Sequence, residues 1–317
     1  MIHQYRTQKF KGYSVKFSPF KPDLLACAGA ANFGLVGNGR LTVLGFNPNA
    51  PELSPIRMYD TQDGLFDVCW SERHENQLVT GSGDGSIALW DITIPDYPVK
   101  KWREHSREIM GIEWNYVSKD TFLSASWDRT IKLWRPDAPQ SLMTFAGHSG
   151  CVYTAAWCPH QNTTFASCSE DRTIKIWSLN NPQSPVGTIQ GHSNQVLSLD
   201  WNKYIPNQIA TTSSDKTIKV WDIRNPKHAV TVLGPFEFAM RRCKFSPHHP
   251  NIIAAGGYDM ASSVWDLSKG RVVYLHDPHC EFVHGLDWSL FTPNVMTTCA
   301  WDEMVHVFNV PLPLQLK

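Results

Sequence analysis

Short runs rich in Ile, Val, Thr, Trp and Phe recur along the chain, each alternating apolar with polar positions, as in Thr130-Ile131-Lys132-Leu133-Trp134. A period of two sends successive side chains to opposite faces, so such runs read as half-buried strands. No segment sustains the 3.6 period of an amphipathic helix. The pattern predicts an all-β protein.

The runs are also in phase with one another. An aromatic followed by a polar residue closes six of them: Trp90-Asp91, Trp134-Arg135, Trp177-Ser178, Trp221-Asp222, Trp265-Asp266 and Phe308-Asn309, with steps of 44, 43, 44, 44 and 43. Leu41-Thr42-Val43-Leu44 ends 46 residues before Trp90 and reads as a degenerate first copy, giving seven. An aspartate stands six residues before each of the six aromatics: Asp84, Asp128, Asp171, Asp215, Asp259 and Asp302. A histidine stands nine residues before a tryptophan in four copies: His105, His148, His192 and His279.

Gly-His, Asp and Trp-Asp at these offsets resemble the WD40 repeat. The resemblance implies a seven-bladed β-propeller occupying residues 1–317 as one domain, with four antiparallel strands per blade. In such a repeat the turn aspartate accepts from the histidine, whose other nitrogen reaches a strand hydroxyl and through it the tryptophan, satisfying buried polar groups. Met1 to Lys9 is expected to supply the outer strand of the last blade and so remove an open edge. Two copies depart from the pattern. The first lacks the Asp and carries a longer glycine-rich stretch from Ala30 to Gly39, and the sixth has Gly234-Pro235-Phe236 where Gly-His would fall. Both blades are expected to be weaker or held by other contacts.

Composition narrows the function. Twenty-nine basic residues balance 29 acidic ones, which argues against a nucleic-acid binder held by phosphate contacts. The 13 tryptophans are accounted for largely by the repeat. The polar start lacks a secretory signal, no apolar run approaches a membrane span, and the tail Leu314-Gln315-Leu316-Lys317 is neither a peroxisomal Ser-Lys-Leu type nor a prenylation box. Eight cysteines without a Cys-x-x-Cys pair read as buried thiols of a reducing compartment. The expectation is a cytoplasmic protein with no membrane insertion.

The His and Asp residues that look catalytic recur in phase with the repeat, which marks them as structural. Gly81-Ser82-Gly83-Asp84-Gly85 suggests a phosphate loop but has no helix after it. With no zinc-spaced His/Cys cluster and no nucleophile elbow, neither enzyme activity, metal nor cofactor is expected. A propeller hydrolase would need a channel carboxylate pair with displaced pKa values.

Function must then come from residues the repeat does not require. In a WD40 repeat the top face is formed partly by positions three and five after the histidine and by the residue before the turn aspartate. These positions give Phe66 in copy two, with Asp63 beside it, Glu108, Met110 and Trp127 in copy three, Tyr153 and Glu170 in copy four, Arg241 and Tyr258 in copy six, and Phe282, His284 and Trp301 in copy seven, with Tyr13 as the first-copy equivalent. Large aromatics where a small turn residue would serve suggest an interaction surface. Asp63, Glu108 and Glu170 fall on adjacent copies, while Arg241, Arg242 and His284 fall opposite. A ligand with a basic end and an apolar stripe would suit that arrangement.

Longer strings carry a closer resemblance: Asp63-Gly64-Leu65-Phe66-Asp67-Val68-Cys69-Trp70-Ser71, Ser126-Trp127-Asp128, Arg241-Arg242-Cys243-Lys244-Phe245-Ser246-Pro247 and Glu281-Phe282-Val283-His284-Gly285-Leu286-Asp287. With Gly12-Tyr13-Ser14-Val15-Lys16-Phe17-Ser18-Pro19-Phe20, they are similar to the peroxin 7 family, the WD40 receptors for the type-2 peroxisomal targeting signal. The resemblance implies protein transport into the peroxisome matrix. The partners would be matrix proteins carrying that signal, a co-receptor and the docking machinery, with the receptor cycling between cytoplasm and peroxisome. The signal has Arg or Lys, an apolar residue, five free positions, His or Gln, and another apolar residue. As a helix it would present these on one stripe. Glu108 and Asp63 are expected to meet its basic residue, and Phe66, Met110, Trp127, Tyr153, Tyr258 and Trp301 its apolar side. The alternative is a WD40 scaffold or substrate adaptor for another complex.

Overall fold

The computed structural model describes residues 2–312; Met1 and 313–317, which include the tail used in the targeting argument, lie outside them. Seven four-stranded antiparallel sheets follow one another along the chain. The innermost strands are Lys11–Phe17, Leu65–Trp70, Ile109–Trp114, Val152–Trp157, Val196–Trp201, Met240–Phe245 and Val283–Trp288. Each packs on the next, and the last packs on the first, so the sheets close into a ring of seven blades around a channel. Blades one to six take four consecutive strands. Blade seven takes Val283–Trp288, Val295–Ala300 and Met304–Asn309, and its outer place is filled by Ile2–Arg6, paired from Ile2–Phe308 to Arg6–Met304. No helix among the described residues is long and apolar enough to cross a membrane.

Burial along the strands reflects their radial position. The second strands Leu24–Ala30 and Phe122–Ser126 are buried throughout, because other strands flank them and other blades cover both faces. Outer strands alternate: only Trp102 is buried in Lys100–Arg103 and only Phe145 in Met143–Ala146. Each sends that one side chain inward and leaves its other face to solvent.

The recurrent histidine, aspartate and tryptophan form a complete network in each of blades three to five. The indole N–H groups of Trp134, Trp177 and Trp221 donate to Ser124 Oγ, Ser167 Oγ and Thr211 Oγ1 at 2.8, 2.8 and 2.9 Å. Those hydroxyls lie 2.7, 2.7 and 2.8 Å from Nε2 of His105, His148 and His192. The Nδ1 atoms face Asp128, Asp171 and Asp215 at 2.7, 2.8 and 2.8 Å. A hydroxyl that accepts from the indole has its own proton left for Nε2, so Nδ1 carries the hydrogen that the carboxylate accepts. Burial alone would raise the three aspartates, but the histidine bonds and a neighbouring threonine outweigh it and hold them far below the usual carboxylate range.

The exceptions are local. In blade two Thr61 stands where the histidine would be, and Thr80, Asp84 and Trp90 line a cavity of about 260 Å³. Asp84 binds Ser86 instead, at 3.0 Å to its N–H. In blade six Asp259 accepts from the N–H of Ala261 at 3.4 Å, burial raises its pKa, and Phe236 packs on Trp265 at 5.3 Å. In blade one the extended loop folds over the channel mouth, where Tyr13 donates to the carbonyl of Phe33 at 2.6 Å. Gly34 has φ +72° there, and a Cβ on it would stand 2.6 Å from the Phe66 ring, so no other residue fits this close approach.

Candidate binding face

Every innermost strand carries a register shift near its start: at Gly12/Ser14, Leu65/Asp67, Ile109/Gly111, Val152/Thr154, Val196/Ser198, Met240/Arg242 and Val283/Gly285. The residue left unpaired is, in turn, Tyr13, Phe66, Met110, Tyr153, Leu197, Arg241 and His284. A β-bulge inserts one residue and re-aims its side chain without disturbing the ladder beyond. Seven bulges thus set a ring of seven side chains at one mouth of the channel.

A second ring comes from the residues before the turn aspartates. The N–H groups of Trp127, Glu170, Tyr258 and Trp301 donate to the carbonyls of Glu108, Cys151, Ala239 and Phe282, at 2.9, 2.9, 3.1 and 3.0 Å. These bonds tie each turn to the entry of the neighbouring inner strand and hold the aromatic side chains beside the bulge residues.

The two rings meet as a continuous aromatic surface. Tyr13, Phe66 and Met110 are buried together, with Trp127 and Trp301 packed against them. Trp301 stacks on His284 at 4.6 Å and 11°, and touches Phe282 and Phe33 at 5.5 and 5.3 Å. Tyr258 meets Phe282 edge-on at 5.1 Å. The sequence offset also predicts Leu197, five residues after His192, which the reading of positions passed over. Phe33 had no such signal, because its loop departs from the repeat.

Charge around this surface is lopsided. Asp63 is half-buried, its Oδ1 accepting the Gly64 N–H at 2.7 Å. Glu108 is half-buried and lies 3.4 Å from the guanidinium of Arg107. Glu170 is exposed and accepts the Cys151 N–H at 3.1 Å, a bond that lowers its pKa. On the other side Arg241 is buried; it donates to the Leu197 carbonyl at 3.0 Å and lies over the Tyr153 ring at 5.9 Å. Burial raises Tyr153 to about 12, so its hydroxyl stays protonated and donates to Gln195 at 3.0 Å.

The basic side is smaller than the sequence suggested. Arg242 follows the bulge and turns along the channel wall to Asp67, 3.3 Å away. His284 is buried, and burial first, then Arg241 and Arg242, hold its pKa well below the ordinary range, so it is a neutral ring. Its Nε2 and the indole nitrogens of Trp127 and Trp301 are buried with no hydrogen-bond partner. Buried polar groups are rarely left so. The mouth thus has an aromatic floor that holds the unpaired ring nitrogens, carboxylates on one flank and a guanidinium on the other. None of the expected contact residues lines the cavity of about 360 Å³ at the opposite mouth, bounded by Trp70, Trp114 and Trp288.

Residues 53–91, 96–135, 139–178 and 183–222 match the family model described as WD domain, G-beta repeat. The chain is similar to Peroxisome biogenesis protein 7 of Arabidopsis thaliana, 47% identical over 135 residues, 42% of this chain and 43% of that one. It is similar to the Peroxisomal targeting signal 2 receptors of Homo sapiens, 42% identical over 156 residues (49% and 48% of the two chains), and of Saccharomyces cerevisiae, 39% identical over 184 residues (50% and 49%). The chain spans about half the length of these relatives in each match.

Proposed function

The chain belongs to the WD40-repeat family, and on that premise we propose that it is a non-catalytic import receptor. It binds the type-2 peroxisomal targeting signal of matrix proteins on the aromatic mouth and delivers them, with a co-receptor, to the peroxisomal docking machinery. The relatives' names support this reading, and the observation that carries it is the double ring of bulge and turn residues.

The signal's first, second, eighth and ninth positions share one helical face, since seven residues make almost two turns, and the nine span about 12 Å. Glu108 and Asp63 take the basic residue through charge-assisted hydrogen bonds. Phe66, Met110, Trp127, Tyr153, Tyr258 and Trp301 take the apolar pair, while Arg241 and His284 line the far side and Glu170 adds negative charge to the rim. The receptor cycles between cytoplasm and peroxisome.

Fluorescence anisotropy of a labelled signal peptide tests the reading, with and without cell extract to supply the co-receptor. Peptide with Ala at its Arg and His positions should not bind. Glu108→Ala should weaken the intact peptide by about tenfold, the loss of one charge-assisted bond. Equal binding of both peptides, with and without extract, would overturn the reading and leave a WD40 scaffold for another complex.

A further inference from the structure

Three histidines meet between blades six and seven. His276 ends the outer strand Arg271–His276 of blade six, His279 lies in the segment leading into blade seven, and His306 sits on the third strand of blade seven. One ring nitrogen from each lies within 4.8 Å of the other two, and all three residues are buried. His276 Nε2 is 3.1 Å from His306 Nδ1, His306 stacks on His279 at 4.1 Å, and His276 stacks on Phe308 at 3.6 Å and 7°.

The repeat shows that the fold does not ask for this cluster. At the place of His276, the outer strands of blades two to five put Trp102, Phe145, Ile189 and Leu233, all buried and apolar. At the place of His306, blades three to five put Lys132, Lys175 and Lys219. Phe308 replaces the tryptophan of the network, so no indole N–H reaches Thr298, whose hydroxyl faces His279 Nε2 at 2.9 Å. Three departures from the repeat therefore converge on one point, and two of them replace ordinary blade residues with metal-ligating side chains.

We propose that His276, His279 and His306 form a binding site for a zinc-class divalent ion that fastens blade seven to blade six. The His276–His306 pair suits such an ion, and His279 joins it by turning off its stack on His306. Zn–N bonds of 2.0–2.1 Å at a tetrahedral angle put ligand nitrogens about 3.4 Å apart, close to the His276–His306 separation. His279 Nδ1 faces the carboxylate of Asp302 at 2.8 Å, the outer-shell partner that orients a metal-bound imidazole, and Nε2 becomes the ligand atom once the Thr298 hydroxyl turns away. The ion enters by opening of the outer strand Arg271–His276, which has a sheet neighbour on one side only.

Tag-free full-length protein, stripped with chelator, is titrated with Zn²⁺ alone by calorimetry and with Co²⁺ by visible absorption. The expected result is one ion per chain, the absorption of tetrahedral nitrogen-ligated cobalt, and a zinc-dependent rise in melting temperature. His276→Leu, which restores the residue type of blade five, and His306→Lys, which restores that of blades three to five, should each weaken binding at least about tenfold. In chelator both variants should melt near the unsubstituted protein. Absence of stoichiometric binding overturns the proposal. So does binding that either folded variant leaves unchanged, which would mark adventitious zinc on exposed histidines such as His74 and His228.

Discussion

His284 concentrates the chemistry of the mouth in one side chain. It packs against Trp301, Tyr13 and Tyr258, with the guanidinium groups of Arg241 and Arg242 disfavouring a charge on it. Its folded pKa lies far below the ordinary value of about 6.5, so below that pH the unfolded chain takes up a proton that the folded ring refuses. Its contribution to stability is full above pH 6.5 and is lost as pH falls. Urea midpoints should therefore drop between pH 7 and pH 5, and His284→Phe should reduce the drop. Trp301→Ala removes the plate on which His284, Phe282 and Phe33 lean, and should weaken peptide binding by at least about tenfold in anisotropy. Most mouth positions were legible because a fixed offset from the repeat histidine finds them. The exceptions have physical causes. The bulge reverses side-chain alternation, which sends Arg241 to the mouth and Arg242 to Asp67. Burial makes His284 neutral, and no offset can report burial.

At the scale of the blade, the hydrogen-bonded network sets how much each copy can lose. His192→Ala would take one partner from Asp215 and one from the Thr211 hydroxyl, which the Trp221 indole still bonds, and should cost about 1–3 kcal/mol in chemical denaturation. Asp84→Ala in blade two, where no histidine is held, should cost no more than about 1 kcal/mol. The depressed carboxylates of Asp128, Asp171 and Asp215 contribute fully above the unfolded value of about 3.9, and that contribution fades as pH falls toward their folded values. Strand type and period were plain in the sequence, since alternation and the aromatic-polar pairs punctuate every copy. The histidine cluster was not, because His276 and His306 are 30 residues apart and meet only after two blades pack.

For the whole molecule the decisive element is the outer strand of blade seven. Ile2–Arg6 covers the edge of Met304–Asn309, with Arg6 and Lys11 both reaching Glu303 at 3.3 and 3.1 Å. Deleting residues 2–6 leaves that edge bare, and light scattering after size exclusion should then show self-associated species alongside a lower melting temperature. The same pairing orders events during synthesis. Tyr13 leaves the ribosome with the first blade, but His284 and Trp301, its neighbours in the finished mouth, emerge only with the seventh. A nascent chain can stack blades one to six, yet its aromatic mouth stays incomplete until blade seven is made. Synthesis order thus leaves the proposed binding mouth open-sided until blade seven closes on blade one.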